Sequence, residues 1–115
     1  MTVDSTPQKA WFVYVIRSDD DQLYTGITTD INRRWREHTT GKAGARYFRG
    51  RKPQALCLLE THPDRSSASK REAAIKQLKR REKELLLAQQ TSTPLLINEF
   101  QKFLDKQIPD FSHEQ

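Results

Sequence analysis

Five side chains in this 115-residue chain carry the types and spacing from which chemistry can be built: Tyr14, Tyr24, Arg34, His38 and Glu72. Tyr14 and Tyr24 lie in two apolar runs separated by a polar turn, so on paired strands their rings can share one sheet face. Taken alone, that arrangement reads first as a cross-strand aromatic pair with no chemistry. Arg34 and His38 stand four positions apart on the helical face that also carries Ile31 and Trp35. A helix buries such a face, so a polar pair there requires a partner. That partner is either a sheet carboxylate or, for a guanidinium held over a sheet, a phosphate. Glu72 falls about 60° around from Ile75 on a later helix, at the edge of its apolar stripe. If that helix begins at Ser69, the run Ser69-Lys70-Arg71-Glu72 is a capping box and Glu72 is only a cap. If it begins at Asp64, Glu72 is a mid-helix carboxylate next to the core.

Other chemistries are missing from the sequence. There is no glycine-rich phosphate loop, no dinucleotide fingerprint, no HExxH pair and no metal-spaced Cys/His set. The histidines, His38, His62 and His113, are far apart in the chain. The single cysteine, Cys57, rules out an internal disulfide and reads as a buried strand residue.

The elements that must position these residues follow from the pattern. Trp11 to Ile16 is β-branched and aromatic and predicts a strand. Ser18 to Asp21 predicts a turn, and Gln22 to Thr28 a second strand that closes a hairpin. Gly26 interrupts that strand, as at a bulge or at the close approach of another group. Thr29 or Asp30 caps a helix that ends near Gly41. Gly41 to Pro53 is a basic loop, and Gln54 to Thr61 is a third strand, apolar on both faces and hence central or well covered. Asp64 caps a long helix running to about Gln90, with Ala68, Ile75, Leu78 and Leu86 as its stripe. Pro94 opens a last helix to about Lys106, with Leu96, Phe100, Phe103 and Leu104 on one face. The expected organisation is a loose arm at 1–10, a folded domain at 11–90, and a C-terminal helix with a frayed tail at 91–115.

The formal charge of +5 conceals an asymmetry, since residues 30–83 hold sixteen Lys and Arg against six Asp and Glu. A cationic centre of this kind attracts polyanions, of which nucleic acid is the commonest. No apolar stretch approaches the roughly 20 residues needed to span a bilayer. The N-terminus has neither an apolar core nor a basic flank of a signal peptide, so a cytoplasmic location is expected.

Phe12-Val13-Tyr14, then Tyr24-Thr25-Gly26, Arg34 ten residues beyond Tyr24, His38, and Glu72 on a later helix together resemble the GIY-YIG nuclease superfamily, in particular its small single-domain bacterial members. The resemblance covers roughly residues 11–88. It implies an α+β fold: a small three-stranded, largely antiparallel sheet flanked by helices, in β-β-α-β-α order, with the C-terminal helix added. It implies a metal-dependent nuclease that hydrolyses phosphodiester bonds in DNA or structured nucleic acid, with DNA rather than RNA the expected partner. Glu72 would hold one divalent cation, Mg²⁺ or Mn²⁺. Arg34 would contact the scissile phosphate, Tyr14 or Tyr24 would help to generate the attacking hydroxide, and His38 would stand near the site. Lys42, Arg46, Arg49 and Arg51, with Lys76 and Lys79, would line the groove for the phosphate backbone. The competing expectation is a nucleic-acid-binding module that keeps this fold without cleaving.

Overall fold

The computed structural model describes residues 10–40, 50–89, 97 and 100–102. Within them lie strand β1 (Trp11–Ser18), strand β2 (Leu23–Thr28), helix α1 (Ile31–Thr40), strand β3 (Pro53–His62), and helices α2 (Arg65–Lys76) and α3 (Arg80–Ala88). The strands form one antiparallel sheet in the order β2-β1-β3. The expected α+β architecture is therefore the observed one.

The most apolar run takes the middle of the sheet. Val13, Tyr14, Val15 and Ile16 of β1 are all buried, because helices cover both faces. Alternation then divides them: Tyr14 and Ile16 join Leu56, Leu59 and Phe100 on the α1 side, while Val13 and Val15 join Leu58, Ala68 and Ile75 on the α2 side. β3 is an edge strand yet apolar on both faces for the same reason. Its register slips between Val15 and Ile16, whose partners are Leu58 and Leu56, so Cys57 is an extra residue. This bulge lets Leu56 and Leu59, three apart, share a face, and it leaves Cys57 half-buried rather than fully inside.

Short polar contacts set the ends. Asp21 adopts φ 64° in the hairpin turn, a conformation that aspartate tolerates better than most residues. The turn is tied to the start of β3: the Asp19 amide donates to the Lys52 carbonyl at 2.8 Å, and the Lys52 amide donates to Asp19 Oδ1 at 3.1 Å. Asp30 Oδ1 accepts from the Arg33 amide at 3.0 Å and opens α1. Asp64 Oδ1 accepts from the Ser67 amide at 2.8 Å and opens α2. The helix thus begins well before Ser69, and Glu72 is not its cap.

The long helix expected from Asp64 to Gln90 is instead two helices, broken at Gln77–Lys79 with no glycine or proline to announce it. A straight 24-residue rod would run about 36 Å, against roughly 26 Å for the eight-residue strand it must cover. The break keeps Leu86 and Leu87 packed on the α2 side of the sheet. Leu78 falls in the break and leaves the stripe, and the Lys79 amide donates to Glu82 Oε1 at 2.8 Å as α3 restarts. Arg17 of β1 then holds α3 in place through both oxygens of Glu84, at 2.8 and 3.1 Å.

Of the expected C-terminal helix, Ile97 and residues 100–102 are helical, and Phe100 is buried against the α1 side. Leu96, Phe103 and Leu104, like Lys42, Arg46 and Arg49 of the basic loop, lie outside the described residues.

Candidate active site

On the α1 side of the sheet, three elements deliver one cluster. Tyr14 pairs across the hairpin with Gly26, and Ile16 with Tyr24, so the two tyrosines are diagonal neighbours on one face. Their ring centroids are 6.1 Å apart. α1 lays Arg34 and His38 over them from above. The Tyr14 hydroxyl is 3.0 Å from His38 Nε2, and Arg34 Nε points at the same hydroxyl from 3.4 Å. The Tyr24 and His38 rings meet edge to face at 5.1 Å.

A guanidinium can only donate, so the Tyr14 oxygen accepts from Arg34. Between Tyr14 and His38 Nε2 the direction is set by the imidazole tautomer. Burial, with the nearby Arg34 charge adding to it, pushes His38 down to about 4, so the ring is uncharged near neutrality. Burial likewise pushes the Tyr14 phenol well above the usual tyrosine range, and it stays protonated.

Gly26 makes this geometry possible. A Cβ at that position would lie 2.5 Å from the Tyr14 hydroxyl oxygen and 2.7 Å from its ring carbon Cζ. The sequence signal of a glycine inside a strand therefore marks a close approach, and the bulges of the sheet lie elsewhere. A further participant had not been singled out: Glu37, whose Oε1 accepts from Arg34 Nη1 at 2.8 Å. The partner demanded by the buried Arg34–His38 face is thus a carboxylate of the same helix and a tyrosine of the sheet. The three-residue spacing of Arg34 and Glu37 is the signal for it.

The remaining site candidates lie elsewhere in the fold. Glu72 is on α2, across the sheet from α1, and pairs with Lys76 at 2.9 Å. α2 packs against all three strands on the face opposite the Tyr14–Tyr24 cluster. Its side chain is 23% exposed. Arg51 reaches Asp20 of the hairpin turn at 3.1 Å, while Arg80 reaches Asp21 at 3.3 Å. The turn therefore draws one arginine from just before β3 and one from α3. Lys76 and Lys79 are exposed at the corner between α2 and α3.

A metal held by Glu72 would have few protein ligands. Among the described residues no group of three or more His, Cys, Asp or Glu side chains could enclose an ion. A magnesium-type ion fits such a setting, since it is commonly held by one or two carboxylates and keeps several waters. The half-buried, partly exposed Glu72 carboxylate fits the part of that ligand. No helix among the described residues is long and apolar enough to cross a membrane.

The chain is similar to several bacterial proteins. UPF0213 protein DP2720 of Desulfotalea psychrophila is 58% identical over 73 residues, covering 64% of this chain and 66% of that protein. UPF0213 protein YhbQ of Salmonella arizonae is 45% identical over 91 residues, covering 79% of this chain and 90% of that one. The solution NMR structure of UPF0213 protein BH0048 from Bacillus halodurans is 40% identical, spans 69% of this chain and 83% of its own, and superposes with a TM-score of 0.46. The model of the family described as the GIY-YIG catalytic domain matches residues 10–85, which include Tyr14, Tyr24, Gly26, Arg34, His38 and Glu72. The chain belongs to the GIY-YIG catalytic domain family.

Proposed function

We propose that this protein is a metal-dependent nuclease that hydrolyses phosphodiester bonds, with DNA as its preferred substrate. The observation that carries the reading is the meeting of Tyr14, Tyr24, Arg34 and His38, from two strands and one helix, on one face of the sheet. Phosphodiester hydrolysis requires a deprotonated water, and stabilised charge on the phosphoryl oxygens and on the leaving group. Arg34 supplies fixed positive charge for the phosphoryl oxygens. Glu37 and Tyr14 hold the guanidinium in place, so little reorganisation is needed when substrate arrives.

The two tyrosines take different parts. Tyr14 is fully buried, with its hydroxyl engaged by Arg34 and His38, and serves to position them. Tyr24 is half-exposed on the edge strand, where its hydroxyl can accept a hydrogen bond from the attacking water and orient it. Glu72 would hold one Mg²⁺ or Mn²⁺, which when bound supplies charge stabilisation and acidifies a coordinated water. Arg51, Lys76 and Lys79, with Lys42, Arg46 and Arg49, would grip the backbone to either side.

Incubation with single-stranded, duplex and branched DNA and RNA, with and without Mg²⁺, tests the reading. Wild type is expected to cleave only with metal. Glu72→Gln keeps the side chain's shape but removes the charge that a hard cation needs, so cleavage falls by about a hundredfold or more while binding survives. Arg34→Ala cripples cleavage and also weakens binding, because it removes charge at the phosphate. Full cleavage by Glu72→Gln in Mg²⁺ would remove the one-metal mechanism. Binding without cleavage by wild type on every substrate would leave a nucleic-acid-binding module in its place.

A further inference from the structure

The site's second layer, α1, is held less completely than the sheet beneath it. Of its apolar residues, Ile31 and Trp35 are only partly buried, and His38 is the only fully buried residue of the helix. Yet α1 carries Arg34 and His38, whose distances to the Tyr14 hydroxyl define the cluster. Trp35 is met by a residue beyond 10–85, the span that the family match covers. Phe100 is 3% exposed and meets the Trp35 indole edge to face, with centroids 5.4 Å apart and planes at 72°. It shares its cluster with Tyr14, Ile16, Leu56 and Leu59, and Ile97 packs beside it. Phe100 thus bridges α1 and the sheet at once.

We propose that Phe100 is a positioning residue for the site: packed between Trp35 and the sheet, it seats α1 so that Arg34 and His38 stay on the Tyr14 hydroxyl. The C-terminal segment is then a working part of the catalytic unit, although it lies outside the residues that define the family. Trp35 stands next to Arg34 in sequence and one helical turn before His38, so a shift of the indole is passed to both. A displacement of about 1 Å at a catalytic group can cost about a hundredfold in rate. His38 is 1% exposed and lies one turn along α1 from Trp35, so a shift of the helix opens its ring to water. The charged and titratable groups around that ring are Arg34 and Glu37 of its own helix, Tyr14 of β1 and Tyr24 of β2. Of these, only the Glu37 carboxylate favours imidazolium.

The inference rests on the nuclease reading for its kinetic arm only. The test uses the full-length chain carrying Phe100→Ala, with Phe100→Leu as the conservative partner. In the unliganded protein, the His38 imidazole is titrated by NMR. Wild type is expected to titrate near 4. Phe100→Ala should move it upward toward the ordinary value of about 6.5, and Phe100→Leu should restore most of the depression. In the kinetic arm, Phe100→Ala should lower kcat by about tenfold or more with substrate affinity within about twofold, and Phe100→Leu should recover the rate. A folded Phe100→Ala protein whose His38 titrates as in wild type would overturn the proposal. If Phe100→Ala does not fold, Phe100→Leu and Ile97→Ala are read in the same two ways, and wild-type behaviour in both overturns it. A wild type that cleaves nothing removes the nuclease reading, while the NMR arm still decides the role of Phe100.

Discussion

The Tyr14 hydroxyl is the atom on which the site turns, because Arg34 and His38 both meet it and it sits where a glycine leaves room. Gly26→Ala would set a methyl 2.5 Å from that oxygen. Tyr14 is completely buried and cannot swing into solvent, so the ring must push on α1 or the strands must part. We expect a loss of about 1–3 kcal/mol in urea denaturation, as for other overpacked cores, and a disturbed Tyr14–His38 hydrogen bond. An alanine variant of wild-type stability would show that the close approach is not tight. His38 makes a second prediction. The folded protein protonates this ring only near 4, whereas an unfolded histidine does so near about 6.5. Between these limits the unfolded chain binds the extra proton, so stability is undiminished above about 6.5 and falls as pH drops toward 4. The full loss is on the order of 3 kcal/mol. Glu84, pushed down to about 2 by its hydrogen bond from Arg17, loses its contribution only below its ordinary 4.5, a lower window than that of His38. Tyr14 acts in the opposite sense: its raised phenol keeps its contribution below the ordinary 10 and loses it above. His38→Gln should therefore flatten the stability profile between pH 4.5 and 6.5 in urea titrations; an unchanged slope there would assign that limb to other groups.

At the scale of elements, α3 is an addition to the sheet that one two-pronged ion pair secures. Arg17 grips both oxygens of Glu84 and also Asp21, and Arg80 reaches the same two carboxylates. The pair is part-exposed, with Arg17 at 27% and Glu84 at 37%, so solvent screens it. Glu84→Ala should cost about 1–2 kcal/mol, less than the loss of a fully buried pair. Hydrogen exchange should show the loss first in α3, with β1 still protected, because Leu86 and Leu87 then hold α3 alone. Loss of protection throughout the sheet would contradict that picture. The same element marks where sequence reasoning stops. Strands, caps and both sheet faces were legible, because alternation in WFVYVI and the caps Asp30 and Asp64 are local signals. The break at Gln77–Lys79 was not, since it answers to the length of the sheet and to a carboxylate, Glu82, that caps a residue of ordinary type. Periodicity put Tyr14 and Tyr24 on one sheet face and Arg34 and His38 on one helix face, whereas their meeting at the Tyr14 hydroxyl, with Glu37 holding Arg34, became visible only with the helix in place. Phe100 was expected on the apolar face of the last helix, but nothing local says which surface that face covers.

For the molecule as a whole, the decisive feature is how its acidic groups are used. Six carboxylates lie among residues 30–83, and every one is engaged within the fold. Asp30, Asp64 and Glu82 satisfy helix N-termini, while Glu37, Glu60 and Glu72 pair with Arg34, Arg71 and Lys76. With sixteen cations against them, and only Arg51 and Arg80 among the described ones also reaching Asp20, Asp21 and Glu84 outside the stretch, these residues keep a net cationic field. A polyanion that meets this field releases counterions, and its affinity falls with salt in proportion to the phosphates contacted. Cations at the binding face should each contribute about 0.7–0.9 to that slope, and cations elsewhere nothing. Arg36 is exposed on α1 beside the site, and Lys79 is exposed at the corner between α2 and α3. Arg65, by contrast, is turned onto the Trp11 ring, 5.7 Å from its centroid, at the end of the sheet away from the hairpin turn. Binding of a catalytically silent Glu72→Gln background to a fluorescent DNA is to be measured from low to physiological salt. Arg36→Gln and Lys79→Gln should each reduce the slope by about one contact, and Arg65→Gln should leave it unchanged. Equal effects from all three would mean that the charge acts as a diffuse cloud, and affinity indifferent to salt would mean that the cationic centre is not a nucleic-acid surface.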